Sequence, residues 1–218
     1  MGFLLDPYNW DLSNPASIPY LFWMHVYITL ISMAIGLLIA FPIALLVARY
    51  RRSYLPVLTT AGVIYTIPSL ALLAFLIPFT GLSLATIVIP LVVYAQVVLI
   101  RNIVAAIRAV DPALVEVGRA MGMNTYQLQR RVVLPLALPV IIAGLRVATV
   151  TTIGIATLGP WVGTDDLGTL IFQGFNFSYN DEVIVGVVLV SLLAIVADLL
   201  LLAVQAALGR GRQIVPAG

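Results

Sequence analysis

Apolar runs long enough to cross a bilayer recur along the whole of this chain, and that recurrence decides most of what it can fold into. About 20 apolar residues cross the hydrocarbon layer as a helix, and a backbone placed in lipid must satisfy its own hydrogen bonds. A soluble core cannot absorb the surplus. Hydrophobic residues make up 62% of the chain and charged ones 9%, against about half and a quarter in soluble domains; mean hydropathy is +1.11. The expected fold is therefore an all-α membrane protein with about five transmembrane helices, at residues 20–48, 54–79, 82–100, 134–158 and 183–208. Pro42, Pro68, Pro90 and Pro139 are expected to bend these helices where neighbours can satisfy the freed backbone groups.

Charge sets the expected orientation. All eleven basic residues are arginine. Arg49, Arg51 and Arg52 follow the first run, Arg101 to Arg131 follow the third, and Arg210 and Arg212 follow the fifth. Asp6, Asp11, Asp165, Asp166, Asp181 and Glu182 mark the opposite side, which has no basic residue. Arginine-rich ends stay cytoplasmic, so the N-terminus is expected outside and the C-terminus inside. Residues 1–19 then form an extracytoplasmic segment, 20–208 the membrane domain and 209–218 a cytoplasmic tail. The opening segment lacks the basic n-region of a signal peptide, so the first span is expected to act as its own insertion signal. Trp10, Tyr20, Trp23, Tyr27 and Trp161 fall near outer boundaries, where amphipathic rings anchor at the headgroup level. His25, the only histidine, sits at the same level and is read as interfacial.

The stretch from Arg101 to Pro139 is too polar for a span and too patterned for a plain loop. Asp111 before Pro112 gives an N-cap and an N1 proline, and Gly122 fits a helix stop. Between them Leu114, Val117 and Met121 share a face with Ala113 and Ala120, while Glu116 and Arg119 point away. Asn124 followed by Gln127 reads as a capping box for a helix that runs through Arg130 and Arg131 into the fourth span. A short helix held between two spans is a lever: a partner that grips it can rock the spans.

The run from Glu116 to Met123, followed by Val133-Leu-Pro135-Leu-Ala-Leu-Pro139, resembles the EAA loop of ABC importer permeases. Glu116, Gly122 and Pro135 match that pattern; Val117 and Gly118 replace its two alanines. Gly118 costs about 1 kcal/mol in a helix interior. Residues 66–73, 110–116, 136–146 and 153–158 are similar to the osmoprotectant branch, whose substrates are glycine betaine, choline and carnitine. At residues 163–168 that branch usually has a glycine-rich turn; here Asp165 and Asp166 replace two glycines and are expected to add negative charge at the extracytoplasmic entrance.

The resemblance implies a non-catalytic permease. Segment 105–131 would couple to separate ABC ATPase subunits through Asp111, Leu114, Glu116, Val117, Arg119, Met121 and Gly122, with Pro135 beyond it. It also implies ATP and Mg on the partner ATPase and no cofactor or metal in this chain. An extracytoplasmic substrate-binding protein, a second permease copy or paralogue, and surrounding membrane lipid complete the expected partners. Nucleic acid is not among them, because the arginines are topology markers rather than a patch.

Arg146 and Asp198 lie inside the fourth and fifth runs, where an isolated charge is costly. Their similar depth suggests an ion pair. Candidates for the path are Tyr65, Ser69, Tyr94, Gln96, Thr151, Thr152 and Thr157, although small hydroxyls in spans more often bond helix to helix. Other classes fit less well. With no lysine there is no P-loop lysine for ATP. An intramembrane enzyme needs convergent titratable groups, and only Arg146 and Asp198 offer themselves. A channel or secondary carrier often carries internal repeats, and none is clear. Within the permease class, another small solute such as an amino acid or a histidine-derived betaine remains the alternative cargo.

Overall fold

The computed structural model describes residues 2–209, so Arg210 and Arg212 lie outside the described residues. A single turn, α1 (Gly2–Leu5), and a 3-10 turn (Pro7–Trp10) precede the long helix α2 (Ile18–Arg49). Next come α3 (Tyr54–Tyr65), α4 (Ser69–Thr80), α5 (Leu84–Arg108), the short α6 (Pro112–Ala120) and α7 (Thr125–Leu128). A π turn (Gln129–Val133) carries α7 into α8 (Leu134–Ala156), and α9 (Leu167–Asn176) and α10 (Asn180–Gly209) complete the chain. The helices at Ile18–Arg49, Leu84–Arg108, Thr125–Ala156 and Asn180–Gly209 can each cross a membrane, and α3 with α4 makes a fifth span if counted as one.

That second span is not the single helix expected at 54–79. It breaks between Tyr65 and Ser69, and its halves meet at 87°. Pro68 has no N–H to give and disfavours helical backbone at Ile67. The Tyr94 hydroxyl donates to the freed Ile67 carbonyl at 2.7 Å. By contrast, α2, α5 and α8 continue through Pro42, Pro90 and Pro139. The third span also outruns its expected end at residue 100. Helix α5 reaches Arg108, whose guanidinium lies 4.4 Å from the centre of the Tyr54 ring and donates to the Val47 carbonyl at 3.2 Å.

Helix α5 is the centre of the bundle, packed between α2 and α8, and α10 lies against α8 and α9. Lipid tails are as apolar as leucine, so close approach rather than the hydrophobic effect holds such helices together. Small residues provide it: Ala40 and Ala44 on α2, Ala95 and Ala106 on α5, Ala137 and Ala148 on α8. At Gly144 a Cβ would collide with the Asn102 side chain of α5. At the other extreme, only Glu182 and Gly186 of α10 are buried, so most of that helix faces lipid or another chain. The opening segment folds back on the bundle. Trp10 Nε1 donates to the Leu4 carbonyl at 2.8 Å, and Phe3 packs on the cluster of Ile18, Leu21, Leu167 and Leu170.

Candidate functional site

Helix α6 stands at the arginine-bearing end, between α5 and the start of α7. The Asp111 carboxylate accepts the Ala113 N–H at 2.8 Å, and Pro112 occupies the first helical position. At the other end Gly122 takes φ +78°, with the Gly122 N–H on the Arg119 carbonyl and the Met123 N–H on that of Gly118. This is a Schellman stop, for which glycine is the residue without steric penalty. Asn124 and Gln127 then exchange reciprocal hydrogen bonds at 2.9 Å. Every turn of the α6–α7 corner is thus fixed by a local hydrogen bond, which makes it stiff.

Its faces differ from the expectation in one respect. Leu114 is half-buried along with Val115, and the packed face is completed by Gly118, which is fully covered. A Cβ at Gly118 would come within 2.6 Å of Leu128 Cδ1. The glycine that is unfavourable for the helix is therefore what lets α6 seat on α7. Val117 and Met121 remain 58% and 72% exposed, and with Ala113 and Ala120 they form an uncovered apolar stripe flanked by exposed Glu116 and Arg119. Pro135 lies in the first turn of α8.

Within the bundle, Arg146 of α8 and Asp198 of α10 form a two-pronged ion pair at 2.8 and 2.7 Å. Arg146 also donates to Gln205 Oε1 at 3.1 Å. Gln205 was not among the sequence candidates. Its spacing of seven residues from Asp198, two turns along one helix face, is the signal that would have found it.

The path candidates separate by burial. Tyr94 and Thr152 are buried; Tyr94 holds the α3–α4 break and Thr152 donates to Met33 Sδ at 3.3 Å. Gln96 Nε2 ties α5 to the Gly36 carbonyl of α2 at 3.1 Å. Thr151 and Thr157 donate to carbonyls of their own turn, Val147 and Gly154. Tyr65, exposed and set edge-on to Tyr94, and half-buried Ser69 remain beside the break.

His25 and Asp166 overturn their sequence reading. Neither side chain is open to headgroups or to solvent: both are fully buried, with Nδ1 3.6 Å from Asp166 Oδ1. His25 Nε2 lies 3.1 Å from the Ile153 carbonyl, which can only accept, so Nε2 carries a proton. Nδ1 and the second carboxylate oxygen, Oδ2, have no hydrogen-bond partner among the described residues. Burial pushes the Asp166 carboxyl up from its ordinary value, and His25 and the Gly168 N–H, 2.6 Å away, pull it back. Asp166→Asn keeps an acceptor for Gly168 and offers an N–H to Nδ1, so it should cost less than about 1 kcal/mol. Asp166→Ala strands the Gly168 N–H and takes away the polar neighbour of Nδ1, at about 1–3 kcal/mol. Thermal unfolding of the detergent-solubilised chain checks this; equal losses in the two variants would refute a stabilising role for the polar group at Asp166.

Residues 32–213 match the family described as "Binding-protein-dependent transport system inner membrane component". The choline transport system permease protein OpuBB of Bacillus subtilis is 36% identical over 206 residues, covering 94% of this chain and 92% of that protein. The carnitine transport permease protein OpuCB of Listeria monocytogenes is 38% identical over 176 residues, covering 81% of each. Among solved structures, an inward-facing form of the MetNI methionine ABC transporter aligns with TM-score 0.76 at 27% identity, covering 85% of this chain and 93% of that one. The chain belongs to the binding-protein-dependent transport system inner membrane component family, the multi-pass, non-catalytic permease subunits of ABC transporters.

Proposed function

We propose that this permease imports a small quaternary amine osmoprotectant such as choline, carnitine or glycine betaine. The names of relatives that align along most of the chain support that cargo. The observation that carries the mechanism is the uncovered apolar stripe of α6 on a corner fixed at both ends by caps. An ABC ATPase subunit grips this stripe, and ATP with Mg is bound and hydrolysed on that subunit. Closure of the ATPase moves α6, and because α6 is joined to α5 on one side and α7–α8 on the other, the movement passes into the centre of the bundle. The arginine end faces the cytoplasm, so the N-terminus and the α9 end face outward. An extracytoplasmic binding protein delivers cargo there, and a second permease copy or paralogue completes the path.

The test is uptake into proteoliposomes holding this chain, its ATPase and the binding protein, with labelled choline, carnitine, glycine betaine, a histidine-derived betaine or an amino acid outside. ATP-dependent uptake of choline, carnitine or glycine betaine is expected. Uptake without the ATPase would replace the reading with a carrier or channel. ATP-dependent uptake confined to the amino acid or the histidine-derived betaine would replace the cargo alone. The chain contains no cysteine, so a single cysteine introduced at Ser13 or Gln127 reports orientation in cells. An impermeant maleimide should label the first and not the second.

A further inference from the structure

At the acidic end of the bundle, the 3-10 turn Gly159–Val162 and helix α9 border an open recess of about 440 Å3. Trp161 of the turn and Phe172 of α9, both lining it, meet edge to face, with ring centres 5.5 Å apart and planes at 85°. Trp161 remains 60% exposed. Beside the rings stands Asp165, exposed, with one carboxylate oxygen accepting the Thr169 hydroxyl at 3.2 Å. Its neighbour Asp166 is turned into the core by its bond to Gly168 and its approach to His25. Asp165 is therefore the carboxylate left to the recess, and no arginine lines it.

We propose that this recess binds a quaternary ammonium group. Such a cation has no N–H to donate, and its charge is spread over methyl groups. Hydrogen-bonding oxygens alone hold it poorly, whereas aromatic faces attract it through their quadrupole while the methyls leave water. A nearby carboxylate adds attraction without requiring a directed bond. Solutes carrying only negative charge are repelled by Asp165, and those without a cationic group lose both electrostatic contributions. The recess is open, so binding is weak, which suits a station that a solute must enter and leave. The inference deepens the cargo reading and rests on it, and on this end facing outward.

The measurement is saturation-transfer NMR on the methyl protons of choline, with the full chain in nanodiscs of phosphatidylethanolamine and phosphatidylglycerol. The control ligand is 3,3-dimethylbutan-1-ol, which has the shape of choline without the charge. Choline should saturate the signal, tetramethylammonium should compete, and the alcohol should bind at least about threefold more weakly. Trp161→Leu and Asp165→Asn should each weaken choline by about threefold or more. Trp23→Leu, which removes an exposed ring on α2, should not. Both recess side chains are exposed, so unchanged elution on size exclusion separates lost binding from lost fold. Equal binding of choline and the alcohol, or unchanged binding in both recess variants, would overturn the site. Discs containing phosphatidylcholine identify the carrier: loss of the free-choline signal assigns the recess to a lipid headgroup, and its persistence assigns it to the solute. Because no ATPase or binding protein takes part, failure here leaves the transport result standing, and failure of transport leaves this result standing.

Discussion

Inverting either member of the Arg146–Asp198 pair will cut the yield of folded chain by roughly tenfold or more, and inverting both together will restore most of it. The geometry motivates the size of the effect. Two parallel hydrogen bonds at 2.8 and 2.7 Å join a guanidinium on α8 to a carboxylate on α10, deep within apolar helices. Arg146→Asp leaves two carboxylates facing each other, and Asp198→Arg leaves two guanidinium groups. In either case a charge loses its partner and gains a repulsive neighbour in lipid, where water cannot screen it. The exchanged pair recovers the attraction with its polarity reversed. Gln205 tolerates the exchange, since its amide can donate to a carboxylate as readily as it now accepts from Arg146. Size-exclusion profiles of a fluorescent fusion read the folded fraction. A double inversion as poor as the singles would show that these residues act separately, each through its own surroundings.

The pair could be anticipated because charges in apolar runs are rare enough to be matched by depth. The α6–α7 corner was legible for a different reason: caps are local, and Asp111-Pro112, Gly122 and Asn124 with Gln127 carry their hydrogen bonds within a few residues. What failed was anything decided at long range. Four prolines in the spans have similar local chemistry, yet the chain breaks at Pro68 alone among those four, where Tyr94, 27 positions away, takes the Ile67 carbonyl. His25 and Asp166 meet across well over half the chain. Aromatic neighbours suggested a headgroup position for His25, but Thr29 and Ser32 follow it on the same helical face, and all three are buried. That polar face was the overlooked signal. Gly118 looked like a weakness in a helix because propensity is a property of one helix, whereas its use lies in contact with Leu128 of the next.

Replacing Val117 and Met121 together with aspartate will abolish ATP-driven uptake, by roughly a hundredfold or more, while leaving the chain folded and inserted. Both side chains are exposed, on the apolar stripe, so the folded chain loses little when they change. In the assembly they would be buried against the ATPase, and two carboxylates placed there without partners would be desolvated at a cost large enough to release it. Glu116→Lys tests the rim of the same contact by reversing an exposed charge and should weaken co-purification to a lesser degree. Gly118→Leu provides the contrast. It also stops uptake, but by driving a side chain into Leu128, so the folded yield falls with it. Gly122→Trp acts between these, because a residue other than glycine at φ +78° strains the helix stop. The two aspartates should separate uptake from folding most fully, with ATPase co-purification lost alongside uptake. If the ATPase still co-purifies with that variant and drives normal uptake, the force enters the bundle elsewhere, and the lever assigned to α6 is withdrawn.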